Sequence, residues 1–222
     1  MKEMLRNFPR VPRPLLLLAL ACAACPAMAE DPDAAYTRVI TQRAERILEP
    51  MGLEDDAVYA RVQGIIKQLY RDLSATQDAR DAAVASIRGQ AALPPRAAEA
   101  GIRALREAVD HEVLVIGHRF TGQLSAVLTP EQVVAVKDGI TYGVVPLTYG
   151  VYMEMLPDLT EDEKHFIMAQ LAEAREHAVT AGSSHGRHRV FGQAKGRINN
   201  MLSAAGYDLK QAEADMRARA TD

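Results

Sequence analysis

Eight apolar residues, Ile102, Leu105, Val109, Val113, Ile116, Phe120, Leu124 and Val127, recur at spacings of 3, 4, 4, 3, 4, 4 and 3. That rhythm places them on one face of an α-helix and on no face of a strand. A helix this long with a single apolar seam must find neighbours along its length. The seam therefore predicts a chain that folds by packing helices together.

The rest of the sequence keeps the same period. Tyr36, Val39, Ile40, Ile47 and Leu48 mark a first helix, ended near Pro50-Met51-Gly52. Val58, Val62, Ile65, Ile66, Leu69, Tyr70 and Leu73 stripe a second, whose polar continuation reaches about Ser86. Gly89 to Pro95 reads as a loop broken by Pro94-Pro95. Three later helices open on capping boxes: Thr129 to Gln132, Thr160 to Glu163 and Asp208 to Gln211. Gly182 reads as the stop of a helix from about Glu161 to Ala181. Ser183 or Ser184 then caps the next, which runs to about Ala204 and stops at Gly206. Gly139 to Pro157 is less regular, with Tyr142, Tyr149 and Tyr152 among Gly143, Pro146 and Gly150, and reads as a broken or kinked helix. No hairpin signal occurs. The expected fold is all-α, an irregular bundle of about seven or eight helices. Long helices over 33–127 and shorter ones over 129–220 suggest two layers of one domain, 30–222, since no linker separates them.

Residues 1–29 read as a secretory signal peptide. Lys2, Arg6, Arg10 and Arg13 form a basic start, Leu15 to Ala24 an apolar run, and Ala27-Met28-Ala29 a small-x-small cleavage site. The expected compartment is the periplasm or the exterior. Cys22 after Ala19-Leu20-Ala21 gives a lipoprotein alternative. Both cysteines, Cys22 and Cys25, lie in this segment, so the expected mature chain holds no disulfide, thiolate nucleophile or Cys-ligated metal. The whole chain carries a net charge of −3, and cleavage removes four basic residues and one acidic. The resulting excess of acid disfavours nucleic acid and anionic lipid as partners. No other stretch is apolar enough to span a bilayer. Composition is silent on oligomeric state.

The most unusual segment is Gly182 to Asn200. At 100° per residue, Phe191, Ala194, Ile198, Met201, Leu202 and Ala205 share the core face, with Gly192, Gly196 and Ser203 opposite. His188, Lys195 and Asn199 lie along one flank, and Arg197 and Asn200 on the other. Glycine inside a helix costs about 1 kcal/mol relative to alanine. Two of them at i, i+4 imply either the close approach of another helix or a groove where a ligand lies against bare backbone. Four of the six histidines, His165, His177, His185 and His188, also gather in this half of the chain. His177, His185 and His188 with Glu173 sketch a metal site that no ligand motif supports, so no metal and no cofactor are expected. There is no Gly-x-Ser-x-Gly elbow and no phosphate-binding loop. Carboxylates such as Asp138, Glu154, Asp158, Glu173 and Glu176 are numerous, but one sequence does not show which pair could face each other.

Leu128-Thr129-Pro130-Glu131-Gln132 and Val136-Lys137-Asp138-Gly139-Ile140-Thr141-Tyr142 open a series of ordered motifs. Thr148-Tyr149, Met155-Leu156-Pro157-Asp158-Leu159-Thr160 and Glu173-Ala174-Arg175-Glu176 follow. Ala181-Gly182-Ser183-Ser184, Phe191-Gly192, Lys195 to Asn200 and Ala205-Gly206-Tyr207-Asp208 complete it. This series resembles the bacterial Domain of Unknown Function 3826 family, over about 111–210 closely and 35–85 loosely. Ile140 stands where that family usually has Met, and Gln193-Ala194 where Lys-Tyr is common, which removes a ring from the expected groove. The resemblance implies an exported, sugar-binding accessory protein of bacteria that degrade plant or algal polysaccharides. It supplies no catalytic residues.

A sugar site combines ring faces with planar polar groups. Tyr142, Tyr149, Tyr152 and Tyr207 offer rings with hydroxyl handles. Arg175, Lys195, Arg197, Asn199 and Asn200 offer hydrogen bonds, or a grip on an acidic oligosaccharide. The candidate ligand-binding set is Asp138, Tyr142, Tyr149, Glu173, Arg175, Glu176, His188, Lys195, Arg197, Asn199 and Asn200. Two other classes stay open. One is a polysaccharide lyase or hydrolase, which requires two ionisable groups across a cleft. The other is a periplasmic chaperone of the Spy and CpxP type, suggested by the paired Leu-Thr signals at Leu128 and Leu159.

Overall fold

The computed structural model describes residues 31–220. The expected signal peptide and the lipoprotein alternative lie outside the described residues. Within them the chain is all-α, with eight helices, one 3-10 turn and no strand. The helices are α1 (Pro32–Leu48), α2 (Asp56–Gly89), α3 (Pro95–Ser125), α4 (Pro130–Ile140), α5 (Val144–Met155), α6 (Glu161–Val179), α7 (Ser184–Ala204) and α8 (Leu209–Arg219).

The ends are set by local chemistry. Asp55 accepts the amides of Ala57 and Val58 to start α2. Thr129 and Thr160 form complete capping boxes with Gln132 and Glu163. Asp208 makes only half of the third, because the Gln211 side chain turns forward to Asp215 instead. Ser183 caps α7 by accepting the Gly186 amide at 3.0 Å. The irregular stretch 139–157 is two helices: α4 stops, the chain turns through Thr141–Gly143, and α5 begins. Pro146 falls in the first turn of α5, where a missing N–H removes no helical bond.

Glu163 is tied further. Its carboxylate accepts from the Thr160 amide, the Thr160 hydroxyl and the Tyr207 hydroxyl. The Thr160 backbone bond, with these hydroxyls, holds its pKa below the usual carboxylate range. A depressed folded pKa contributes stability above the unfolded value, and that contribution is lost as pH falls through the folded one. Glu163→Gln keeps the capping box but removes the titration. Its stability is therefore expected to fall less steeply than wild type below about pH 4.5, measured by denaturant melts across acid pH.

Two hydrophobic clusters result. The first joins α1 to α4 through Leu48, Ile66, Leu69, Ile116, Leu124 and Val136. The second joins α5, α6 and α7 through Tyr152, Ile167, Leu171, Phe191, Ile198 and Leu202, with α8 against its edge. The division falls after α4, one helix later than the two-layer pattern predicts. α4 packs on α1 by the close approach of Gly139 to Ile47, where a Cβ would sit 2.8 Å from the Ile47 Cγ2. It also packs on α6, whose Val179 belongs to the first cluster. No described helix is long and apolar enough to cross a membrane.

Candidate functional site

The site begins at the end of α4. The Gly143 amide bonds the Asp138 carbonyl at 2.8 Å and the Tyr142 amide bonds that of Gly139 at 3.3 Å. That pairing is a Schellman ending, whose left-handed position is usually glycine. Here it is Tyr142, at φ 60°, followed by Gly143 at φ 65°. A left-handed tyrosine costs about 1–2 kcal/mol. The strain yields no burial, because Tyr142 is 65% exposed. Thr141 beneath it is fully buried, and its hydroxyl donates to the Lys137 carbonyl. The turn is rigid below and presents a ring above.

Hollows adjoin this ring. One of about 170 Å³ is lined by Tyr142, Val144, Arg187, His188, Gly192 and Lys195, among others. A second of about 360 Å³ is lined by Arg43, Arg46, Tyr70, Ile140 and Tyr142. Tyr142 is common to both. A third of about 350 Å³, with Thr148, Val151, Tyr152 and Asn199, shares Lys195 with the first. Thr148, Val151 and Met155 on α5 are spaced one turn apart, as are His188, Gly192, Lys195 and Asn199 on α7. These two stripes wall a groove. Gly192 and Gly196 are open, with nothing within 4 Å of where a Cβ would stand. No helix crosses there. Gly192 lines the groove, whereas Gly196 faces outward and lines none of the hollows described here.

Arg187 enters the first hollow from the core face of α7. It is 8% exposed, and its Nε has no hydrogen-bond partner. Its guanidinium lies 5.6 Å from the centre of the Tyr142 ring. Arg43 lies 5.7 Å from the Tyr70 ring in the neighbouring hollow. Burial pushes the Tyr70 hydroxyl above its ordinary pKa, against the opposing charges of Arg187 and Arg43. His188 Nδ1 donates to the Ser184 carbonyl at 2.8 Å, which fixes the ring's orientation.

The sequence-derived candidates do not gather in one place. Tyr142, His188, Lys195 and Asn199 line the groove, as the flank of α7 predicts. Asp138, Arg175 and Glu176 lie in the seam between α4 and α6. There Arg175 pairs with Asp138 at 3.2 Å, and Lys137, 5% exposed, pairs with Glu176. The Glu176 side borders a separate hollow with His118, His177 and Lys137. Glu173 and Arg197 meet across α6 and α7 at 4.0 Å, and Arg197 also bonds Gln170. Tyr149 packs against the second core beside Lys164, and Asn200 is exposed outside these hollows. Asn199 also accepts the Tyr152 hydroxyl at 2.6 Å. Among the described residues, no three metal-ligating side chains gather.

Sequence reasoning missed Arg187, Lys137, Arg43, Arg46 and Tyr70. Two carried a signal. Arg187 stands four residues before Phe191 on the core stripe, and Lys137 four after Val133. A charge on an apolar stripe marks a buried polar contact. Arg43 and Tyr70 come from distant segments, and only the tertiary fold joins them to Tyr142. No curated protein matches the chain. A family model matches residues 37–221, adding the 86–110 stretch that the motifs did not reach. The chain belongs to the family described as protein of unknown function (DUF3826).

Proposed function

We propose that this protein binds carbohydrate in the groove between α5 and α7, as an exported accessory of polysaccharide utilisation. The observation that carries the reading is Tyr142. A strained, exposed aromatic ring at the junction of two hollows has no packing role that would repay its backbone cost. A ring face with a hydroxyl handle suits the mixed apolar and polar surface of a sugar. Beyond it the groove offers the Lys195 ammonium and the Asn199 amide, with the bare backbone at Gly192 admitting a ligand closely.

The alternatives draw less support. A hydrolase needs two carboxyl groups facing across the bond to be cut; the three hollows around Tyr142 and Lys195 are lined by one, Glu213. A chaperone cradle needs a concave apolar or basic face wide enough for an unfolded chain, and the basic hollows at Tyr142 hold only about 170 and 360 Å³. The exposed large apolar residues are instead spread over α1, α3, α4, α5 and α6.

The test is a glycan array on the mature chain, followed by calorimetric titration of the hits. Lys195 is exposed and has no ion pair among the described residues, so Lys195→Ala is expected to weaken binding roughly tenfold at an unchanged thermal midpoint. Asn199→Ala is expected to weaken binding too, but also to cost about 1 kcal/mol of stability, because it strands the Tyr152 hydroxyl. A wild-type chain that retains no glycan from an array holding neutral and acidic polysaccharide fragments defeats the proposal.

A further inference from the structure

The two hollows that share Tyr142 have a charge the chain as a whole does not. Arg187, His188 and Lys195 line one, and Arg43 and Arg46 line the other; neither is lined by a carboxylate. Arg43, Arg187 and Lys195 have no ion pair among the described residues. The other hollows lined by cations also hold carboxylates: Asp81 and Asp110 stand beside Arg80, Arg88, Arg106 and Arg189, Glu176 beside Lys137, and Glu213 beside Lys195. In a chain of net charge −3, this concentration of unpaired positive charge is local.

We infer that the ligand of this surface is polyanionic and places one anionic group in each hollow, on either side of the Tyr142 ring. The inference rests on the groove reading above and narrows its ligand class to acidic glycans. Three features make the Arg187 hollow a built site. The Arg187 side chain is more than nine-tenths buried, and its Nε is left without a partner. A buried donor in that state costs about 1–3 kcal/mol until something accepts from it. Its guanidinium carbon lies over the Tyr142 ring and the group lines the hollow, where a guanidinium can grip a carboxylate or sulfate. The first turn of α7 adds the positive end of its dipole. Across the ring, Arg43 stacks on Tyr70 in the same manner, with Arg46 beside it. Two cation-on-ring pairs, one of them on the exposed Tyr142 ring that borders both hollows, offer places for two acidic units of one chain. A single isolated anion would fill only one hollow.

Calorimetric titration compares an α-1,4-linked oligogalacturonate, its fully methyl-esterified form, a sulfated neutral oligosaccharide, inorganic sulfate and inorganic phosphate. The oligogalacturonate or the sulfated glycan is expected to bind at least about tenfold tighter than the methyl ester. That preference should shrink as salt rises from about 50 mM to about 500 mM. Arg187→Gln and Arg46→Gln should each cost about tenfold in affinity for the acidic glycan. Arg46 is exposed and bonds only its own helix, so its variant decides the matter if Arg187→Gln fails to fold. Equal affinity for the acid and its methyl ester overturns the inference and leaves the carbohydrate reading intact. Binding of inorganic sulfate or phosphate, lost in Arg187→Gln, with no glycan bound, keeps the anion site and removes the carbohydrate. Inorganic anions bound equally by wild type and both variants show an adventitious ion only, and overturn it.

Discussion

Tyr142→Gly is expected to abolish most glycan binding while leaving the protein as stable as before. The two effects separate because the residue's ring and its backbone work in opposite directions. Glycine at the left-handed position relieves about 1–2 kcal/mol of strain. Against that stand about 0.5–1 kcal/mol of extra chain entropy lost on folding and a similar amount for the Arg187 contact. The side chain is mostly in water, so little core burial is lost. The balance falls within about 1 kcal/mol of zero, a shift of roughly 2–4 °C in midpoint for a chain of this size. The loss of a central aromatic anchor, by contrast, removes about 2 kcal/mol or more of binding, roughly thirtyfold. Tyr142→Phe should retain most of the affinity. Tyr142→Gly melting far below wild type while still binding tightly would show that the ring is structural.

The second large effect is an asymmetry in the α4–α6 seam. Lys137 is buried and reaches Glu176, whose side chain is 47% exposed. Removing Glu176 leaves a buried ammonium with its counter-charge gone, and Arg175 loses its own 3.6 Å neighbour in the same step. A fully buried pair broken this way costs about 3–5 kcal/mol. Solvent reaches Glu176, so a discounted cost of about 2 kcal/mol is expected for Glu176→Ala. Lys137→Met removes the buried charge itself and leaves a carboxylate that water can solvate, so it is expected to cost under about 1 kcal/mol. In the double variant the Glu176→Ala penalty should largely vanish, because no stranded ammonium remains. A double-mutant cycle by urea denaturation measures this coupling. Equal costs for the two single variants, added without interaction, would mean that the pair contributes nothing.

The fold was legible because helices declare themselves locally. The seam from Ile102 to Val127 became α3, and the Thr129 and Thr160 boxes became the starts of α4 and α6. The pause between α4 and α5 was visible as irregularity. Its form was not, because a tyrosine at a glycine position gives no sequence sign of a left-handed turn. The α7 flank of His188, Lys195 and Asn199 was readable from helical phase alone, and the structure places all three on the groove. The carboxylates were harder. Asp138 and Glu176 looked like ligand groups because they are charged, but each faces a cation of the adjoining helix. Charge in a sequence carries no information about which partner neutralises it. Arg43 and Tyr70 lie far from Tyr142 in the chain, so a site completed by them could be seen only after α1, α2 and α4 had packed.

One wall of the groove differs from the rest in how it is held. α8 contributes Leu209 and Glu213 to the hollow beyond Lys195, yet it has no buried residue of its own. Its ties include the Arg219 bond to the Glu154 carbonyl and partial cover of the second core by Leu209 and Ala212. Segments with so little apolar burial detach at lower free energy than the cores they rest on. The groove is thus bordered beyond Lys195 by a weakly anchored helix, and a polymer longer than the groove has there a wall that can give way.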